Sequence, residues 1–186
     1  MPTKIRCSWC EKDELYRDYH DNEWGNPVYD DDKLFEFLVL ETFQAGLSWY
    51  TILSKRENFR SAFHNFDYKK VALYNEDKIQ ELLQNAGIIR NQLKIRATVS
   101  NAIAFMKVQD EFGSFSKYIW DFTDGKPIEN NRKTMKEVPV TTPLSDAISI
   151  DLKKRGFKFV GSTVVYAHMQ ATGMVNDHVQ DCFTQQ

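Results

Sequence analysis

Cysteine is scarce in this chain, with Cys7, Cys10 and Cys182 the only three among 186 residues. Three thiols cannot pair completely, and thiol or metal chemistry is favoured over a disulfide framework. Long apolar runs are missing too. No stretch approaches the ~20 uninterrupted apolar residues of a membrane span. The opening MPTKIRCSWC lacks the apolar core of a signal peptide. The chain is therefore expected in the cytoplasm, away from membranes. It has no low-complexity tract and no internal repeat, and a net charge of −2 argues against generic polyanion binding.

What is present is an ordinary globular composition. Hydrophobic residues make up 42% and aromatic residues 13%, enough to build a hydrophobic core, and the length fits a single domain over residues 1–186. Charge is distributed unevenly. Residues 1–41 hold 11 acids and 5 bases, a net of −6, which leaves 19 bases and 15 acids, a net of +4, in residues 42–186. A local basic face remains open to the second part. Its candidate members are Lys55, Arg56 and Arg60, then Arg90, Lys94 and Arg96, then Lys153, Lys154, Arg155 and Lys158.

Periodicity predicts an all-α protein. In DDKLFEFLVLETFQ, Leu34, Phe37, Leu38 and Glu41 fall on one helical face behind an acidic first turn, which suits the helix dipole. SWYTILSKRENFRSAF reads as a helix capped by Ser48, with Trp49, Ile52, Leu53, Phe59 and Phe63 inward. Asn75 caps a helix that stops at Gly87, and Asn91 caps a long one through Ile95, Val99, Ala102, Ile103 and Met106. Thr142, Pro143 and Gly156 punctuate another at its two ends. FKFVGSTVVYAHMQATG mixes strand-like residues with helical length and is assigned to helix. Residues 123–141 form the one long irregular connection, a surface loop.

Two stretches carry metal-binding chemistry. In NDHVQDC, His178 and Cys182 are four apart, which on a helical turn projects both from one side, as two ligands of one ion require. The N-terminal segment offers Cys7, Cys10 and His20, and spacing does not decide between the cysteines. Thiolate and imidazole donors suit zinc, and four protein ligands would close the site and make it structural. CSWC also has redox spacing, without the strand-turn-helix context of that chemistry.

The middle of the chain suggests a pocket. Glu41 is a carboxylate on an apolar face, where it must be partnered or functional. Tyr19, Trp24, Trp49 and Tyr50 supply aromatic planes that could sandwich a flat heterocycle, with the carboxylate accepting from its exocyclic amine and favouring a cationic ring. In NAGIIRNQLKI, a helix end, a short hairpin near 85–95 and a new helix can expose backbone N–H groups to a phosphate beside Arg90 and Lys94.

Together YHDNEWG, LETFQAGLSW, KRENF, NAGIIRNQLKI, LKKRGFKFVG and MVNDHVQDC resemble the type I 3-methyladenine DNA glycosylases, a zinc-containing branch of the helix-hairpin-helix glycosylase superfamily. These stretches are spread over nearly the whole chain. The resemblance implies an all-α helix-hairpin-helix fold with a zinc clip joining the two ends. It further implies one structural zinc on Cys7, His20, His178 and Cys182, with Cys10 outside the pattern, and a base pocket of Tyr19, Trp24, Glu41 and Trp49. Gln44, Gly46 and Leu47 resemble the loop entering the gap left in the duplex, and Gly87, Arg90 and Lys94 the DNA anchor. Ser8 and Phe43 depart from the pattern, the latter at the pocket wall. The implied activity is hydrolysis of the N-glycosidic bond of 3-methyladenine in double-stranded alkylated DNA by a monomer, with Glu41 as the functional carboxylate and free 3-methyladenine as product. The superfamily's Asp after the hairpin has no counterpart, and Asp146 and Asp151 are left unassigned. Two other classes compete. A zinc hydrolase or deaminase needs an H-x-E with P-C-x-x-C, which is absent. A non-enzymatic zinc-stapled DNA- or protein-binding adaptor would keep the metal and lack base release.

Overall fold

The chain folds as expected into helices, because each apolar-periodic stretch carries its own start signal. The computed structural model describes residues 4–185. Their ten α-helices are α1 (Glu14–Asn22), α2 (Asp31–Gln44), α3 (Trp49–Leu53), α4 (Arg56–Ala62), α5 (Tyr68–Val71), α6 (Glu76–Gln84), α7 (Gln92–Phe112), α8 (Phe115–Asp121), α9 (Pro143–Lys154) and α10 (Ser162–Ala171). The side chains of Ser48, Asn75, Asn91 and Thr142 each accept a hydrogen bond from a first-turn amide of the helix they precede. No helix among the described residues is long and apolar enough to cross a membrane.

Helix α2 is the axis of the molecule. Every residue from Leu34 to Phe43 is buried, so the helix is enclosed all round and does not present a single apolar face. α10 and α7 pack against it, and the main core runs through Phe35, Leu38, Phe59, Phe105, Phe115 and Met169. A second, smaller cluster joins Cys7, Tyr19, Trp24, Phe37, Leu53, Ala171 and Cys182, tying the two ends of the chain to α2.

Four sequence expectations are corrected. The stretch from Ser48 to Phe63 is two helices, broken where the Ser54 hydroxyl donates to the Thr51 carbonyl and Lys55 leaves helical geometry. The helix assigned from Phe157 begins only at Ser162, because the Asn101 amide clamps the Lys158 backbone in a loop, its NH2 donating to the Lys158 carbonyl and its oxygen accepting from the Lys158 N–H. The 123–141 connection is not free surface loop throughout. Its strand β1 (Ile128–Glu129) pairs in parallel with β2 (Val175–Asn176), and Arg132 bridges to Val179. That bridge holds residues 177–182 extended and then turned, so His178 and Cys182 do not share a helical turn.

Gly173 shows how closely these segments pack. Its φ is +66°, and a Cβ there would sit 2.2 Å from the Asn26 carbonyl carbon. Gly173→Ala is expected to lower stability by about 3 kcal/mol through left-handed strain plus collision with rigid backbone. An unchanged urea midpoint would contradict this contact.

Candidate active site

Two buried acids on α2 meet opposite fates. Glu36 accepts hydrogen bonds from Arg56 Nε (2.7 Å), Arg60 Nε (2.8 Å) and Lys33 Nζ (2.9 Å), and Arg56 also donates to Glu23 (2.7 Å). Burial pushes the Glu36 carboxyl upward, but Arg56 and Lys33 outweigh it and hold the group below its ordinary value. This buried network, linking NEWG to KRENF, is structural. Glu41, five residues on, is 3% exposed and has no hydrogen-bond or ion-pair partner among the described residues. Burial alone raises its pKa to about 8.

The space facing Glu41 is a cavity of about 380 Å³, lined by aromatic rings of four segments together with Gln44, Met135, Val138, Ala167 and Gln170. Tyr16 and Tyr19 come from α1, Trp24 from the turn after it, Trp49 from the start of α3, and Trp9 from the N-terminal segment. Trp9 meets Tyr16 and Trp24 edge-on at centroid distances of 4.9 and 5.1 Å, and Tyr19 tilts against Trp49 at 5.3 Å. The indole N–H groups of Trp9 and Trp49 are buried without partners. A carboxyl and two donors left unpaired among flat rings suit a flat polar ligand, since buried polar groups otherwise find partners.

All four expected pocket residues, Tyr19, Trp24, Glu41 and Trp49, therefore line one cavity. Sequence reasoning missed Trp9, Tyr16, Met135, Val138, Ala167 and Gln170. Tyr16 precedes Tyr19 by one helical turn, a signal that was available. Gln170 and the residues of the 130s carry no local signal, because distant segments bring them in. Phe43, the departure from the family pattern, packs on Phe59 at 4.8 Å and stays out of the cavity.

Behind the cavity, the two chain ends converge. Ligand atoms of Cys7, His20 and Cys182, all buried, lie within 4.8 Å of one another, a group able to hold a metal ion. His20 Nδ1 donates to Asp21 at 2.8 Å, and its Nε2 lone pair accepts from the Cys7 backbone N–H at 3.4 Å and faces Cys182 Sγ at 3.5 Å. His178 lies outside that group, with its ring 4.8 Å from that of His20. Its Nδ1 donates to Asn176 Oδ1 at 2.8 Å, while its Nε2 is buried with no partner. Gly25 makes room for this ring, since a Cβ there would sit 2.8 Å from His178 Cε1.

Each imidazole is thus oriented by an oxygen on Nδ1 and offers Nε2, the arrangement that metal-ligating histidines adopt. Burial lowers the pKa of both, that of His178 to about 4, which keeps them neutral and able to ligate. Burial, with Cys182 beside it, pushes the Cys7 thiol up to about 12. A divalent cation would reverse that preference and favour the thiolate. Cys10 instead donates to the Cys7 carbonyl at 3.1 Å. None of these groups lines the cavity, but Trp24 belongs to both, its ring edge-on to His178 at 4.6 Å.

Beside the cavity mouth, Gly46 and Leu47 are exposed at the tip of the loop between α2 and α3, with Leu47 39% exposed. Gln44 Nε2 donates to the Leu47 carbonyl at 2.9 Å, and Gly46 takes a φ of +81°. The hairpin lies between α6 and α7. There Gly87 is enclosed by Asn58, and Arg90 is exposed.

Lys94 is corrected. It is only 6% exposed, and its ammonium donates to the carbonyls of Phe43 (2.8 Å) and Ala45 (2.6 Å) at the end of α2. Pinned inward, it ties the hairpin helix to the 44–47 loop and does not reach outward for a phosphate. Arg56 and Arg60 are likewise withdrawn from the basic face by their acids, leaving Arg90, Lys153, Lys154 and Lys158 exposed. Asp151 is occupied by Tyr118 and Arg155, and Asp146 is exposed in the first turn of α9; neither lines the cavity.

A family model described as methyladenine glycosylase matches residues 9–185. DNA-3-methyladenine glycosylase 1 of Escherichia coli (strain K12) is 50% identical over 177 residues, 95% of either chain. A crystal structure of a 3-methyladenine DNA glycosylase I superposes with a TM-score of 0.95 at 49% identity, covering 98% of this chain and all of that one. The 3-methyladenine DNA glycosylase I of Staphylococcus aureus, in a structure concerned with its recognition of 3-methyladenine, superposes with a TM-score of 0.94 at 36% identity, covering 97% of this chain and 96% of that one.

Proposed function

The chain belongs to the methyladenine glycosylase family, and we propose that it excises 3-methyladenine from alkylated duplex DNA, cutting the N-glycosidic bond and releasing the free base. The observation that carries this reading is Glu41, an unpartnered buried carboxyl facing a cavity walled by aromatic rings. N3-methylation makes the nucleotide's base a cation. An electron-rich cavity with one available carboxylate favours such a ring over the neutral adenine of undamaged DNA.

The chemistry asked of the protein is modest, because a cationic base leaves as a neutral molecule and the bond is already weak. Most of the work lies in extruding the nucleotide from the stack, at a cost of roughly a few kcal/mol. Leu47, apolar and exposed at the loop tip beside the cavity, suits the gap left in the duplex, with Gly46 and Gln44 shaping the loop. Tyr16, Tyr19, Trp24 and Trp49 then stack on or enclose the base, and Glu41 accepts from its edge. Bringing a cation beside Glu41 opposes the effect of burial and favours the carboxylate. Water completes the reaction at the sugar carbon.

Cys7, His20, His178 and Cys182 would hold one structural zinc, whose chemistry is cross-linking of the chain ends by coordination with no position open to water. By fixing Cys7, His20 and His178 the clip would steady Trp9, Tyr19 and Trp24, their neighbours in sequence or in ring contact. The protein would act as a monomer, a single domain, in the cytoplasm.

The test is to incubate the protein with N-methylated duplex DNA and chromatograph the free bases. 3-Methyladenine should appear, with no adenine from unmethylated duplex. No released base with an intact fold would favour a DNA-binding adaptor.

The hairpin makes a separate prediction. Arg90→Ala should weaken DNA binding and reduce the slope of log K against log salt by about 1, as expected for one lost phosphate contact. Lys94→Met should leave that slope unchanged, because the ammonium is held by carbonyls. A reduced slope in Lys94→Met would restore the outward reading.

A further inference from the structure

Asp177 is fully buried and accepts four hydrogen bonds, from Tyr166 Oη (2.6 Å), Asn130 Nδ2 (2.8 Å), Gln170 Nε2 (2.9 Å) and Arg132 Nε (3.1 Å). These donors come from α10 and from the segment that continues β1. The hub therefore fixes how α10 meets the 130s, the two segments that close one side of the base cavity. Only one of the four donors, Gln170, also lines that cavity.

A carboxylate paired with an arginine only accepts, so Gln170 must turn its NH2 toward Asp177. That choice leaves the amide oxygen as the free corner of the side chain. No described residue donates to it, and it is not among the buried atoms lacking a partner. The open space beside Gln170 is the cavity. The cavity thus holds two acceptors of different kinds: Glu41, which can also carry a proton, and the Gln170 carbonyl, which cannot.

We infer that Gln170 is a specificity-determining residue, its carbonyl accepting from the exocyclic amine of the flipped base, with Asp177 as the positioning residue that holds the amide in that orientation. An adenine amine offers two N–H donors, one for Glu41 and one for Gln170. A purine with oxygen at that position offers none, and two lone pairs would face each other. This deepens the proposed function and rests on it. It assigns the rejection of 6-oxo purines to a hydrogen-bond array, since the aromatic walls accept any flat ring.

The test is affinity for two free bases, 3-methyladenine and 3-methylhypoxanthine, which differ in the amine against the oxygen. The parent should prefer 3-methyladenine. Gln170→Met keeps the length and removes the carbonyl, so 3-methyladenine should weaken by about 10-fold while 3-methylhypoxanthine holds or tightens. Asp177→Asn can donate to the Gln170 oxygen and turn the NH2 into the cavity, which should reverse the preference. A merely structural role would weaken both bases together. If the parent binds and releases 3-methyladenine but Gln170→Met keeps the parent's ratio, the assignment of Gln170 is wrong. If the parent neither binds nor releases it, the proposed function itself fails. Should Asp177→Asn not fold, Gln170→Met alone decides.

Discussion

Glu41→Gln is expected to slow release of 3-methyladenine and weaken binding of the free base by about 10- to 100-fold, the effect of losing a charge-assisted hydrogen bond. The same substitution is expected to stabilise the protein, in a pH-dependent way. In the folded chain burial raises the Glu41 pKa from 4.5 to about 8. Between those values the folded state keeps a proton that the unfolded chain has released. Stability therefore falls as pH rises through this window and levels off above it. Glutamine has no proton to lose, so the variant lacks that decline. Parent and variant should melt together below the ordinary carboxylate range and separate progressively above it. The full separation is on the order of 5 kcal/mol, or about 15 °C at about pH 9. Thermal melts across pH read this directly. Parallel melting curves at every pH would mean that Glu41 does not carry the burial penalty.

The second large effect concerns the joined chain ends. Purified without chelator, the protein is expected to hold one zinc per chain, and Cys182→Ser to lose it. Loss of a structural zinc removes several kcal/mol of folding free energy and should lower the melting temperature by about 10 °C or more. Because Trp24 contacts His178 on one side and lines the cavity on the other, base affinity should fall as well. Elemental analysis finding no metal in the parent would contradict the zinc assignment while leaving the cavity intact. His178→Ala is the subtler case. Cys7, His20 and Cys182 already converge without it, so metal should be retained more weakly, with a smaller loss of melting temperature.

What the sequence could reveal was whatever a residue does with its near neighbours. Caps at Ser48, Asn75, Asn91 and Thr142 act within one turn of their own helices, and all four are found as expected. The pairing of Cys7 and His20 with Cys182 was legible because few residue types bind metals and the resemblance supplied the rest. Other features depended on partners far along the chain. Glu36 and Glu41 look alike on paper, and Arg56 and Arg60, 20 and 24 residues beyond the first of them, join Lys33 in making it a structural ion while the other stays unpaired. Lys94 looked like a phosphate ligand because nothing local shows that the carbonyls ending α2 lie within its reach. His178 and Cys182 had helical spacing, but the bridge between Arg132 and Val179 holds that stretch extended. The same distant pairing brings Met135 and Val138 to the cavity and places Asp177 beneath Gln170.

One titration bears most directly on the cavity. Trp9, Trp24 and Trp49 line it, so their fluorescence reports occupancy. Added as its protonated cation, 3-methyladenine should quench this emission saturably and bind at least about 10-fold more tightly than neutral adenine, with the difference lost in Glu41→Gln. Equal affinities for the two bases, unchanged by the substitution, would contradict the claim that an unpaired buried carboxyl selects the methylated ring.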